Sequence, residues 1–277
     1  MTIHINTITP NHVITVSDRL LSTPTGHIEL GDDRYKHLIL ICDDARVVTS
    51  FAGIAGIISS RKGVLIVEHE TLDWLTEVFQ ETSKKAHGID NHLNDLRDKV
   101  QPHIDMLRKK LNLPSDSPKI KLAIQISGWV GDVQFHCVID NYLDNYSRTG
   151  PTRPYFKTRY KLYEGRMFED GSKIIIIGQE FISENKDHLF EGLFEVSRRE
   201  NPKEIFETSV KIIRTAAVNS NGYVGFNCSG VRISRSDHGI QVFDDRDQSV
   251  WDVVMPNTTY STSQISLSTK NMRGRKL

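Results

Sequence analysis

Long apolar runs are missing from this chain of 277 residues: stretches such as Leu38–Cys42 and Ile174–Ile177 fall far short of the ~20 residues a helix needs to cross a bilayer. No membrane span is expected. An excess of charge is missing too, because 35 Lys and Arg face 35 Asp and Glu, which excludes nucleic-acid binding driven by the charge of the whole chain. Cysteine is scarce: Cys42, Cys137 and Cys228 are odd in number and scattered, so no disulfide framework is indicated. The residues from Met1 to Asn6 lack the basic start and apolar stretch of a secretory leader, and the expected home is the reducing cytoplasm. The GxSxG elbow, the phosphate-cradling GK[ST] loop, HExxH and CxxC are all absent. Glu68-His69-Glu70 and the spacing of His87, His92 and His103 match no standard metal pattern, so no metal and no cofactor are expected.

What is present suits a packed globular core, since 38% of the residues are apolar and 18 more are glycine. Residues Thr2–Thr9 and His12–Ser17 are β-rich runs around Pro10-Asn11, which predicts a hairpin. A second predicted pair, His37–Cys42 and Arg46–Phe51, turns at Asp43-Asp44. After Gly53 and Gly56 the period becomes helical: Leu72, Leu75, Val78 and Phe79 share one face, then Ile89, Leu93, Leu96 and Val100 another. Pro102 is expected to kink or end the second helix, although Ile104, Leu107 and Leu111 keep its period up to a linker at residues 112–118.

Strands return at Ile120–Ser127, Gln134–Ile139, Tyr155–Tyr163 and Lys173–Ile177, followed by helical stretches around Leu189–Phe194 and Ile205–Ala217. The closing third, Tyr223–Ser234, Ile240–Phe243, Val250–Met255 and Thr259–Leu267, reads as strands. Blocks of strands alternating with helix pairs predict a layered α+β domain with antiparallel sheets rather than strict βαβ alternation. The expected organisation is one domain over residues 1–268 and a solvated basic tail over 269–277.

The first hairpin holds the candidate chemistry. A turn centred on Pro10 pairs residues whose numbers sum to about 20, which sets Thr2 opposite Asp18. Removal of Met1 would give Thr2 a free α-amine with an intrinsic pKa of about 7.7–8, a usable base for its own hydroxyl. Lys36, just before the third strand, is placed to supply a cation that keeps this amine neutral. The same spacing also fits a frayed terminus, with Asp18 capping a turn and Lys36 a solvated edge charge.

Thr2-Ile3-His4-Ile5, Val13–Arg19, Lys36 and Thr49-Ser50-Phe51-Ala52-Gly53-Ile54-Ala55-Gly56 together resemble the proteasome β-type subunits and their bacterial relatives, the N-terminal-nucleophile hydrolases. The resemblance covers residues 2 to about 245. It implies a four-layer αββα sandwich, two antiparallel sheets between helix pairs. It also implies threonine-dependent hydrolysis of a peptide or amide, with catalytic Thr2, Asp18 and Lys36 and the Gly53 N–H as oxyanion donor. Self-association into a homo-oligomer is implied as well, with Trp74 and the Leu107–Leu111 end of the helices over Thr71–Leu111 available for a partner. Whether an ATP-driven partner feeds the chain is left open.

Two segments depart from the family pattern. Gln179-Glu180 stands where a serine is usual, and Asn219–Gly225 replaces an Asp-x-x-Ser-Gly-Gly run. A third segment, near residues 141–172, reads as an insertion in which Arg153, Tyr155, Phe156, Lys157, Arg159 and neighbours through Arg166 interleave basic and aromatic groups. Such a ribbon would suit stacked bases and phosphates, but an exposed hairpin whose lysines and arginines discourage edge pairing fits it better, and nucleic acid is not the expected partner. The rival functional reading is a catalytically silent scaffold or binding module that contacts protein or nucleic acid through Arg153–Arg166. Cys228-Ser229-Gly230 offers another nucleophile, with a buried strand cysteine as the simpler expectation.

Overall fold

The structure, a computed structural model, describes residues 3–20, 36–61, 64–114, 117, 120–142, 152–163, 172–177, 186–236, 239–246, 249–253 and 265–268. The chain opens with β1 (His4–Ile8), β2 (His12–Asp18), β3 (His37–Ile41), β4 (Ala45–Gly53), β5 (Gly56–Arg61) and β6 (Val64–Glu70). Helices α1 (Thr71–Ser83) and α2 (Ile89–Lys110) follow, then β7 (Leu122–Val130), β8 (Val133–Tyr142), β9 (Thr152–Tyr163) and β10 (Lys173–Ile177). Helices α3 (Lys186–Arg198) and α4 (Pro202–Asn219) precede β11 (Cys228–Ser234), β12 (Ile240–Asp244), β13 (Ser249–Val253) and β14 (Ile265–Ser268).

The strands form one sheet in the order β10-β1-β2-β11-β12-β13, a second in the order β14-β3-β4-β7-β8-β9, and a separate β5-β6 ribbon. All pairings are antiparallel. The chain is therefore mixed α and β with antiparallel sheets and, among the described residues, four helices, as the block pattern of the sequence predicts.

Strand β3, His-Leu-Ile-Leu-Ile, lacks polar alternation because neither face meets water. Leu38 and Leu40 join an apolar cluster with Leu75, Phe79, Leu96 and Val100 of α1 and α2. Ile39 and Ile41 lie in another cluster, with Val48 and Trp129 of their own sheet and Ile8 and Val231 of the other sheet. A third cluster sets Ile5, Ile14 and Val16 against Ile205, Val210 and Ile213 of α4. Each group is apolar surface withdrawn from water, stabilising by about 25 cal/mol per Å².

Several sequence expectations are corrected. Helical period does not begin after Gly56: residues 56–70 form the β5-β6 ribbon, with a register shift between Ile57 and Ile58. Short β-branched runs such as Ile57-Ile58 and Val64–Val67 suit a strand as well as a helix face. Helix α2 continues through Pro102, which is exposed. The proline removes the hydrogen bond to the carbonyl of exposed Asp98, a group that water can serve. The first hairpin pairs Ile5 with Val16 and Ile8 with Val13, so partners sum to 21 rather than 20. Strand β11 starts at Cys228 rather than Tyr223, whose N–H instead bonds Ser220 O at 3.2 Å in the turn after α4.

The basic and aromatic run falls on β9, the edge strand paired with β8. Arg153 is turned toward Asp140, Nη1 to Oδ1 3.6 Å, so it does not join an open basic face. At the helix end expected to meet a partner, Leu107 is buried and Leu111 half-buried, and half-buried Trp74 stacks on His103 with ring centroids 4.0 Å apart.

Candidate functional site

The Thr9-Pro10-Asn11-His12 turn closes with the N–H of Thr9 bonded to His12 O at 2.8 Å, which fixes the register of β1 against β2. That register brings the end of β2 to the start of β1. Thr2 lies outside the described residues, but Ile3, next in the chain, donates its N–H to Asp18 Oδ1 at 3.0 Å. Lys36 enters from the residue before β3 and donates from Nζ to Asp18 Oδ2 at 3.0 Å. Both side chains of this ion pair are fully buried. A buried carboxylate needs its lone pairs satisfied, and the N–H groups of Leu20 and Gly225 also donate to Oδ2, each at 3.2 Å. Lys36 is thus no solvated edge charge.

Gly225 belongs to the segment that departs from the family pattern. Its backbone, rather than a side chain, reaches the site. Ser220, in the same segment, accepts the N–H of Val224 at 2.9 Å and so shapes the turn that delivers Gly225. Gln179 and Glu180 lie outside the described residues.

Gly53 ends β4 with φ of +108°, and a Cβ added there would sit 2.0 Å from the carbonyl oxygen of Lys121. Only glycine fits that bend. Pairing of His37 with Ser50 in β3-β4 carries Lys36 and Gly53 toward the same end of their sheet. A further tie joins the two sheets there: His4 Nε2 donates to the Phe51 carbonyl, two residues before Gly53. Because a carbonyl only accepts, this bond fixes the Nε2–H tautomer of His4.

His37 lies edge-on to His4, centroids 6.1 Å apart. Burial first, then His37 and Lys36, hold the His4 imidazole well below its ordinary pKa. Burial and the Lys36 charge push His37 down to about 3. Both rings are therefore neutral beside the Lys36 ammonium, which donates to the Asp18 carboxylate. One rung deeper, Thr15 Oγ1 donates to Asn6 Oδ1 at 3.0 Å, Asn6 Nδ2 to Ser127 Oγ at 2.5 Å, and Ser127 Oγ pairs with His136 Nδ1 at 2.8 Å. This chain crosses from one sheet to the other.

The sequence reading did not single out His4, His37, Asn6 or His136. The available signal was polar residues alternating with isoleucine in strands such as His4-Ile5-Asn6, where a strand buried on both faces must pair them inside. All three cysteines are buried thiols: burial, aided at Cys42 by Asp44 and Asp43, pushes Cys42 and Cys137 up to about 12, and Cys228 well above its usual value. Among the described residues, no three His, Cys, Asp or Glu side chains are grouped to hold a metal, and no helix is long and apolar enough to cross a membrane.

The site thus belongs to an α+β chain in which a buried lysine–aspartate pair holds the backbone beside residue 2. No family profile and no curated protein matches the sequence. Solved structures do. The Anbu (Gly-1) mutant from Hyphomicrobium sp. strain MC1 is 12% identical, with 87% of this chain and 84% of that chain covered and a TM-score of 0.47. Thiobacillus denitrificans BPH is 11% identical, with 86% of this chain and all (100%) of that chain covered at 0.43. The same protein in complex with epoxomicin is 10% identical, with coverage of 85% and 100% at 0.41.

Proposed function

We propose that this chain is a threonine-dependent amide or peptide hydrolase. Removal of Met1 exposes Thr2; its Oγ attacks the substrate carbonyl while its own α-amine takes the proton and passes it to the departing amine as the C–N bond breaks, and water then hydrolyses the Thr2 ester and restores the hydroxyl. Lys36 stabilises the oxygen as it loses that proton and keeps the amine neutral, Asp18 holds Lys36 and the backbone of Ile3, and the Gly53 N–H receives the oxyanion. The observation that carries the reading is the Asp18 carboxylate, which accepts from both Lys36 Nζ and the N–H of Ile3, the residue joined to Thr2.

The three apolar clusters are read in the same proposal as the interfaces of a four-layer αββα sandwich, with α1 and α2 outside one sheet and α3 and α4 outside the other. A cytoplasmic homo-oligomer is proposed with it. Light scattering that gives a monomer across the micromolar range overturns that assembly.

The activity test is direct. Thr2→Ala is expected to abolish hydrolysis of a small peptide amide and labelling by a threonine-directed electrophile, whereas Thr2→Ser retains part of both. Intact mass from the native host is expected to lack Met1. Equal hydrolysis by wild type and Thr2→Ala, or full retention of Met1, overturns the mechanism; no hydrolysis by either protein leaves the scaffold reading in its place.

A further inference from the structure

Away from that site, His69 of β6 and His103 of α2 approach each other with their Nε2 atoms 3.3 Å apart. The contact is a hydrogen bond between the two ring nitrogens, with ring centroids 4.7 Å apart and planes tilted by 52°. Trp74 of α1 lies flat on His103, centroids 4.0 Å apart and planes within 9°, which fixes the orientation of that ring. Three elements supply this half-buried cluster, and none of its residues takes part in the proposed hydrolysis.

Lys110 and Asp73 are the charged groups that act on His69. The Lys110 ammonium is held by Glu68 at 2.6 Å, so its repulsion of a cation is offset by a carboxylate.

We propose that His69 and His103 form a two-histidine site for a divalent transition metal, zinc or copper. Two nitrogens about 2.0–2.1 Å from a tetrahedral zinc are about 3.3–3.4 Å apart, which the observed 3.3 Å matches. Metal binding replaces the Nε2···Nε2 hydrogen bond: each ring then carries its proton on Nδ1 and directs its Nε2 lone pair to the metal. Water completes the coordination, and Asp73, in the first turn of α1, is the acidic group that acts on His69. Imidazole donors select zinc, copper or nickel over magnesium or calcium, and copper binds tightest of these. The sequence expectation of no metal rested on spacing along the chain, whereas this pair is made by a ribbon strand and a helix 34 positions apart.

The full chain, stripped of metal, is titrated with Zn2+ against a chromophoric chelator and, separately, with Cu2+ followed by electron paramagnetic resonance. One Zn2+ equivalent is expected that His69→Ala or His103→Phe weakens at least about tenfold. His103→Phe keeps an aromatic ring against Trp74, and His69→Ala alters only the ribbon, so either folded variant decides the outcome. The first Cu2+ equivalent on the wild type is expected to show nitrogen hyperfine coupling from two imidazoles. Unchanged zinc binding in both variants, or wild-type copper spectra without two coupled nitrogens, overturns the site.

Discussion

Lys36 Nζ stands 3.0 Å from Asp18 Oδ2 with both side chains withdrawn from water, so each charge depends on the other for its stability. Removing one partner of such a pair leaves a bare buried charge, which costs about 3–5 kcal/mol. Lys36→Met is therefore expected to lower unfolding free energy by that order, and to lose about 10²–10³-fold in turnover through the missing cation. Denaturant titration of Lys36→Met, Asp18→Asn and the double variant checks the coupling. A double variant as stable as wild type, beside two weak single variants, is the expected pattern; strictly additive losses exclude it.

Acid stability follows from His37. Its folded-state value near 3 lies below the ordinary 6.5, so the unfolded chain binds a proton that the folded chain refuses. Stability is complete above about pH 6.5 and falls as the pH drops toward 3, by about 1.4 kcal/mol per pH unit from this residue. His37→Gln is expected to flatten the pH dependence of unfolding by that slope between pH 6 and 4. An unchanged slope would show that His37 is protonated in the folded state.

At Gly53 the backbone leaves no room for a side chain. With φ at +108° and the Lys121 carbonyl 2.0 Å from the added atom, Gly53→Ala must move β4 or β7. Local strain of about 1–3 kcal/mol and a displaced turn are expected, visible as a lowered melting temperature together with loss of hydrolysis. Wild-type melting and activity in Gly53→Ala would contradict the bend.

The Asn6 carboxamide joins the sheets by accepting from Thr15 and donating to Ser127. Asn6→Ala leaves the Thr15 hydroxyl without its acceptor and opens a void between the sheets. A loss of about 1–3 kcal/mol is expected for that buried group. Hydrogen exchange should rise at both Thr15 and Ser127; a rise confined to β1 and β2 would show that the bond does not couple the sheets.

The place of Asp18 beside the start of the chain was legible because a turn at Pro10 fixes which residues of β1 and β2 can meet; its bond to Lys36 was not, because Lys36 enters from the other sheet. The register was misread by one because Pro10 and Asn11 share the turn equally, placing its axis between them. Asp18 consequently holds the N–H of Ile3. The β5-β6 ribbon escaped because two glycines and short apolar runs carry no period long enough to separate strand from helix. His4 and His37 escaped for another reason: that they face each other between two sheets is a fact of tertiary stacking, which alternation within one strand does not contain. The contribution of Gly225 to Asp18 was equally hidden, since a backbone N–H leaves no mark in residue type.

The three buried thiols have a practical corollary. Held in their protonated form at neutral pH, Cys42, Cys137 and Cys228 present almost no thiolate to a reagent. The folded protein is therefore expected to react slowly at sulfur with covalent probes, so that thiol alkylation becomes a clock for unfolding.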